Sequence, residues 1–158
     1  MQRYFCTNKL DNKFILNEEN SYHIRKVMRM NIGDKIEIVY LDNTFLCEIS
    51  NLDNLVEVSI ISDISKYNEL DKKITICQSL VKEEKMDLVL QKCVELGAYS
   101  FIPLKVRNCV VKIDDDTKKI IRWQKIVNDA SRQSKRNIIP KVLKVHTITD
   151  LVKLDYDL

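Results

Sequence analysis

An α/β fold in two parts, a small β domain followed by a parallel α/β domain, is what this chain of 158 residues predicts. Three observations carry that prediction. Residues 35–60 hold three consecutive runs of period-two alternation separated by turn formers. The polar stretch Ser65–Asp71 has no period. Beyond it, apolar runs alternate with segments of helical spacing in the order β-α-β-α-β-α, the pattern of a parallel sheet with crossover helices.

Taken in order, Arg3–Thr7 and Lys13–Leu16 read as short strands, and Glu18–Arg29 has helical spacing at Tyr22, Val27 and Met30. Gly33-Asp34 then turns the chain into Lys35–Leu41, which sets Ile36, Ile38 and Tyr40 against Lys35 and Glu37. Phe45–Ile49 alternates less cleanly, and Val56–Ile60 sets Val56, Val58 and Ile60 against Glu57 and Ser59. The separators Asp42–Asn43 and Leu52–Asn54 are turn formers. An antiparallel meander with one buried face follows, and the two N-terminal strands complete a small barrel. The expected domains are residues 1–68 and 72–158.

In the second part Lys73–Val81 is nearly continuous in apolar residues, as expected of a strand buried on both faces. Glu83–Leu96 is helical, with Met86, Val89, Leu90 and Cys93 on one face, and Gly97 stands where a helix-ending glycine belongs. Ser100–Val106 is a strand in which Pro103 marks an edge, a bulge or an end. Asp115–Arg136 is a long helix with acids in its first turn and bases in its last, as the helix dipole prefers. Its apolar stripe is Ile120, Trp123, Val127 and Ala130, so Trp123 is expected in the core. Lys141–Val145 is the third strand, and Thr147 to Asp150 is a capping box that opens another helix. A sheet of three strands, with a helix beginning as the chain stops at Leu158, predicts a fragment of a longer protein.

Charge divides unevenly. Residues 1–70 carry 8 Lys and Arg against 11 Asp and Glu, whereas residues 71–158 carry 18 against 12. Residues 118–144 hold nine bases and one acid, Asp129. A field of that sign favours polyanions such as nucleic acid, although a solvated helix face has the same signature. The five cysteines are odd in number and widely spaced, with no CxxC pair; they read as core residues in a reducing compartment, and no metal site is expected. No apolar leader or membrane-length run is present, so a cytoplasmic protein without a membrane partner is expected.

Four features, in order, resemble one family. YHIRKVMRMNIGD (Tyr22–Asp34), KEEKMDLVLQKCVELGAYSFIPL (Lys82–Leu104) and RWQKIVNDASRQSKRNIIPKV (Arg122–Val142) are similar to segments of the bacterial 16S ribosomal RNA uridine-N3 methyltransferases, the RsmE family; the overall layout agrees as well. The resemblance implies an N-terminal PUA-like barrel followed by an incomplete SPOUT-type parallel α/β domain. It implies S-adenosylmethionine as cofactor and 16S ribosomal RNA or the small ribosomal subunit as partner. It also implies a homodimer for the intact protein, with a monomer open to the fragment. The glycine-rich knot segments that hold the cofactor in the family are not found here, where the only glycines are Gly33 and Gly97, so no cofactor site is expected within these residues. One departure is local: the family's Glu before the helix-end Gln is Arg132 here, preceding Gln133.

Candidate RNA contacts are Arg25, Arg29, Lys82, Lys85, Gln133 and Arg136. Arg25 and Arg29 lie one helical turn apart and share a face, which could equally be solvated. Gln133 and Arg136 offer a polar helix tip, and arginine is a planar fork for phosphate; alternatively Arg136 and Asn137 cap the last carbonyls and Pro140 stops the helix. His23 is either a half-buried helix residue or a substrate contact. No residue is singled out to take the uridine N3 proton. A non-catalytic RNA-binding module with a PUA-like barrel, and a small α/β domain that assembles with a partner, are the alternatives.

Overall fold

The meander forms as the alternation predicts. In the computed structural model, which describes residues 1–66, 68–107, 109 and 117–155, β4 (Lys35–Tyr40), β5 (Asn43–Asn51) and β6 (Glu57–Asp63) pair antiparallel in sequence order. The hairpin between β4 and β5 turns one residue earlier than expected. Leu41 and Asp42 occupy its two central positions with φ of 47° and 63°, the all-positive geometry that matches strand twist, while Asn43 already pairs with Tyr40. The irregular alternation of Phe45–Ile49 has a cause: the β5–β6 register shifts at Leu46/Cys47 and again at Ile49/Asn51. Such bulges bend a strand and increase its twist.

β1 (Arg3–Phe5) adds parallel to β4, β3 (Lys13–Ile15) adds antiparallel to β6, and a two-residue strand not foreseen in the sequence, β2 (Lys9–Leu10), closes the order β1-β4-β5-β6-β3-β2. β1 and β2 are the two edges, so the expected barrel is a curled sheet, a half-barrel. Its concave core holds Tyr4, Phe14, Leu16, Ile24, Ile36, Ile38, Cys47, Ile49, Val56 and Val58.

The helix after β3 departs most from expectation. α1 (Glu18–Tyr22), capped by Asn17, continues as a π-helical turn over His23–Val27, where the Met28 N–H donates to the His23 carbonyl at 2.8 Å. The buried positions are Asn20, Ser21 and Ile24; Tyr22 and Val27, expected in the apolar stripe, are exposed. Polar anchoring replaces that stripe. Ser21 Oγ accepts the Val56 N–H at 2.9 Å and donates to the Leu16 carbonyl at 3.3 Å, and Asn20 Nδ2 donates to the Phe5 carbonyl at 3.1 Å.

The chain divides into two compact units, Met1–Asn68 and Glu69–Leu158. The second builds a parallel sheet from β7 (Thr75–Ser79), β8 (Ser100–Lys105), β9 (Lys141–Val142) and β10 (His146–Thr147), with α2 (Glu83–Glu95) and α3 (Thr117–Gln133) as crossovers and α4 (Ile148–Leu151) last. The acids expected in the first turn of α3, Asp115 and Asp116, lie outside the described residues. α2 and α3 cover one layer: Met86, Leu90 and Val94 meet Trp123, Val127 and Ala130, with Phe101 beneath. Each such side chain, fully buried, contributes on the order of 1.5–3 kcal/mol. The Thr147–Asp150 capping box is present. No helix among the described residues is long and apolar enough to cross a membrane.

Two expectations fail here for physical reasons. β7 is half-exposed rather than buried on both faces, with Cys77 open to solvent, because it is the edge of the described sheet. The strand expected over Lys141–Val145 ends at Val142 as β9, paired with Ser100 and Phe101, and β10, just beyond the expected range, pairs with Leu104 and Lys105. Pro103 sits opposite that interruption, in the middle of the most buried strand. It is neither an edge nor an end: the donor that proline lacks falls where the neighbouring strand is absent.

Candidate nucleic-acid interface

The π-turn governs the cations of the first unit. Inserting one residue into the helical ladder shifts every later side chain, so Arg25 and Arg29 do not share the helical face their spacing suggests. Arg25 is half-buried and donates through Nε to the Ser21 carbonyl at 3.3 Å. Arg29 is exposed and leaves the turn in the left-handed region, with φ of 52°. The chain is then pinned: Asp34 Oδ2 accepts the Asn31 N–H at 2.8 Å, and the Gly33 N–H, at φ 92°, donates to Ile49 O at 2.9 Å. Beneath the turn the buried Tyr4 hydroxyl meets His23 Nδ1 at 3.0 Å, so His23 is a half-buried structural partner of the sheet. A groove of about 650 Å³ opens beside the turn, lined by Glu18, Glu19, Tyr22, Arg25, Asn54 and Leu55.

In the second unit Arg136 is not the exposed helix tip that its sequence position suggests. It is 5% exposed. α3 ends in a Schellman turn in which Lys135 takes φ of 60° and the Arg136 N–H donates to the Ser131 carbonyl at 3.1 Å. The Arg136 side chain then points inward. Nη1 donates to the carbonyls of Val94 at 3.2 Å and Ala98 at 2.5 Å, while Nε and Nη2 donate to Glu69 Oε2 at 3.0 and 2.5 Å. The other Glu69 oxygen accepts the N–H groups of Asn137 and Ile138 at 2.9 and 3.2 Å. Arg136 therefore caps a helix, but it is α2 rather than its own, and its guanidinium is engaged away from any phosphate. Glu69 comes from the stretch whose sequence shows only polarity without period; an acid in a linker gives no signal that it will be buried against an arginine 67 positions away.

α2 ends in the same kind of turn. The Gly97 N–H donates to Val94 O at 3.0 Å and the Ala98 N–H to Cys93 O at 2.9 Å, with Gly97 at φ 100°. A Cβ on Gly97 would stand 2.8 Å from the Leu70 side chain.

The remaining candidates are spread out. Lys82 and Lys85 are placed together at the start of α2, with Glu83 and Glu84 between them, and both lysines are exposed. Gln133 is exposed at the far end of α3, on a groove of about 220 Å³ shared with Gln91, Ile126, Asp129 and Ala130. Gln91, the α2 residue on that groove, lies about 9 Å along the α2 axis from Lys85. Part of the basic excess is paired: Arg122 forks onto Asp87, whose carboxylate raises the affinity of that guanidinium for its proton, and Arg132 approaches Asp129 at 3.6 Å. Lys118, Lys125 and Lys141 remain exposed. Cys47 is a protonated thiol at neutral pH, its pKa pushed up to about 12 by burial.

Comparison with known proteins agrees with this arrangement in both units. A model described as RNA methyltransferase domain matches residues 68–157, and one described as RNA methyltransferase PUA domain matches residues 16–61. The ribosomal RNA small subunit methyltransferase E of Bacillus subtilis is 36% identical over 97% of this chain and 63% of its own length. That of Buchnera aphidicola from Acyrthosiphon pisum is 35% identical over 84% of this chain and 54% of its own. The chain thus spans less than two thirds of these relatives. A solved structure of the same enzyme from Neisseria gonorrhoeae, bound to S-adenosyl methionine, superposes with a TM-score of 0.82 at 29% identity, covering 92% of this chain and 62% of that one. S-adenosylmethionine is the cofactor of this family. On these matches, and on the half-barrel joined to a parallel α/β unit, the chain belongs to the RNA methyltransferase family, within its ribosomal RNA small subunit methyltransferase E group.

Proposed function

We propose that this chain carries the RNA-holding part of an S-adenosylmethionine-dependent methyltransferase that modifies uridine N3 in 16S ribosomal RNA, in the cytoplasm and as a homodimer when the protein is whole. The observation that carries the reading is the methyltransferase match over residues 68–157, joined to the PUA match over residues 16–61. The cofactor, when bound, supplies a methyl group on a sulfonium. Gly97 is packed against Leu70, and Gly33 lies on an exposed turn. This supports placing the cofactor outside the described residues.

What the chain's own residues do is bind and orient. The cations at Arg29, Lys82, Lys85 and along α3 attract the phosphate backbone without reading sequence. Arg25 and Gln133 each line a groove and suit shorter-range contacts. Reaching N3 requires an unpaired base, because that atom lies on the pairing edge; such enzymes act on unstacked or extruded bases.

Deleting the coding region for this chain from its genome should remove one N3-methyluridine from 16S RNA, read as a lost reverse-transcription stop, and restoring it should bring the stop back. An unchanged set of stops would reject the reading. The chain by itself should bind structured RNA with a log–log salt slope of about −0.7 to −0.9 per phosphate contact.

A further inference from the structure

The groove beside the π-turn is chemically unlike the rest of the basic surface. Its lining pairs an exposed aromatic ring, Tyr22 at 59%, with two carboxylates, an amide and an arginine. Among the described residues the side chains of Glu18, Glu19, Tyr22 and Asn54 make no hydrogen bond or ion pair, and Arg25 uses only Nε, leaving its two terminal nitrogens available. Five polar or aromatic side chains thus converge on one space without satisfying one another. The volume, about 650 Å³, lies within the roughly 300–1,000 Å³ usual for small-molecule sites. The floor is rigid, because Ser21 and Ile24, on the opposite side of the same helix, are fully buried in the half-barrel.

Two carboxylates exclude a phosphate from this space, since like charges at close range repel. An uncharged nucleobase is the complementary occupant. Tyr22 supplies a stacking face, which any base accepts. The polar set is more selective. A carboxylate is matched by two adjacent N–H donors on one edge, and an arginine fork by two adjacent acceptors on another. Uracil has one N–H flanked by carbonyls that a carboxylate repels. Adenine and cytosine place an unprotonated ring nitrogen beside their amino group. Guanine alone offers N1–H and the 2-amino group together, with O6 and N7 as the acceptor pair that arginine reads.

We propose that this groove is a guanine subsite: an unpaired guanine of the bound RNA stacks on Tyr22, its N1–H and 2-amino group on a carboxylate of Glu18 or Glu19, and O6 and N7 on Arg25. The proposal rests on the RNA-binding reading above and adds a base preference to it. It gives the first unit a means of setting register along the RNA at a position other than the methylated base.

The test is fluorescence anisotropy of the full chain with single-stranded RNA oligomers identical except for one central base. The guanine oligomer should bind most tightly, and inosine, which lacks the 2-amino group, should lose most of the difference. Tyr22→Ala should weaken the guanine oligomer by about tenfold, within the range of base–aromatic stacking, while Tyr22→Phe keeps it. The double variant Glu18→Gln with Glu19→Gln should weaken the guanine oligomer until it binds no more tightly than the other three, because it removes the acceptor for N1–H and the 2-amino group. Equal binding of all four bases, unaffected by Tyr22→Ala, overturns the subsite and leaves the RNA-binding reading standing. Absence of salt-dependent binding to any of the oligomers overturns both.

Discussion

Two turns, one ending at Arg29 in the first unit and the other at Arg136 in the second unit, share the same features along the chain: a helix end, a run of cations, and no glycine where the backbone reverses. They are alike in backbone too, since Arg29 and Lys135 both adopt left-handed φ, at 52° and 60°. They differ in what meets the arginines. Among the described residues no carboxylate is seated on the Arg25 guanidinium, which faces a groove. Glu69 folds onto Arg136 with a side chain 6% exposed, and two helix-end carbonyls take the rest of the fork. A cationic helix end is available to a ligand only where no distant acid has been folded onto it, and the sequence around the helix end does not record that acid.

The contrast breaks most visibly at Arg136. Arg136→Ala strands a buried carboxylate and two buried carbonyls, and breaking such a pair from one side costs about 3–5 kcal/mol. In a chain of this size that lowers the midpoint by on the order of 10 °C, which a thermal melt followed by circular dichroism reads directly. A melt that did not move would mean that the pair carries no stability and that the two arginines are equivalent.

The ends of α2 and α3 offer a matched pair of smaller effects. Gly97→Ala places a side chain at φ 100° and 2.8 Å from Leu70, and should cost about 1–3 kcal/mol. Lys135→Gly relieves a left-handed lysine and should gain about 1 kcal/mol. Chemical denaturation midpoints at constant slope check both signs.

The smallest change in stability belongs to Arg25. Arg25→Ala should stay within about 0.5 kcal/mol of the parent in stability, yet weaken RNA binding and relax its preference for guanine. A stability loss like that of Arg136 would move Arg25 from the ligand side of the comparison to the structural side.

Much of the framework was legible because it rests on local periodicity. The meander, α2 with Gly97 at its end, the Trp123–Val127–Ala130 stripe and the Thr147 capping box all follow from spacing and turn chemistry. The failures share a cause: non-local hydrogen bonding. Tyr22 and Val27 read as an apolar stripe, but Ser21 and Asn20 bond across to β-strand backbone and turn a different face inward. The π-turn cannot be read from HIRKV, and it separates Arg25 from Arg29. Glu69 showed nothing but polarity. For the candidate site, residue types were readable and partners were not; Tyr22, the ring now placed at the centre of a subsite, was legible only as a supposed core residue.

Pro103 inverts the usual reading of proline in a strand. It is buried, paired by register with Gln78 on one side, and faces the break between β9 and β10 on the other. Any other residue at this position would present an amide hydrogen to a gap that holds no strand acceptor, and an orphaned buried donor costs about 1–3 kcal/mol. Proline is therefore the tolerant choice here, and the neighbouring chain is left at liberty to arch away over Leu143–Val145 without abandoning an amide. A residue known for interrupting sheets instead permits an interruption that the adjacent strand has already made.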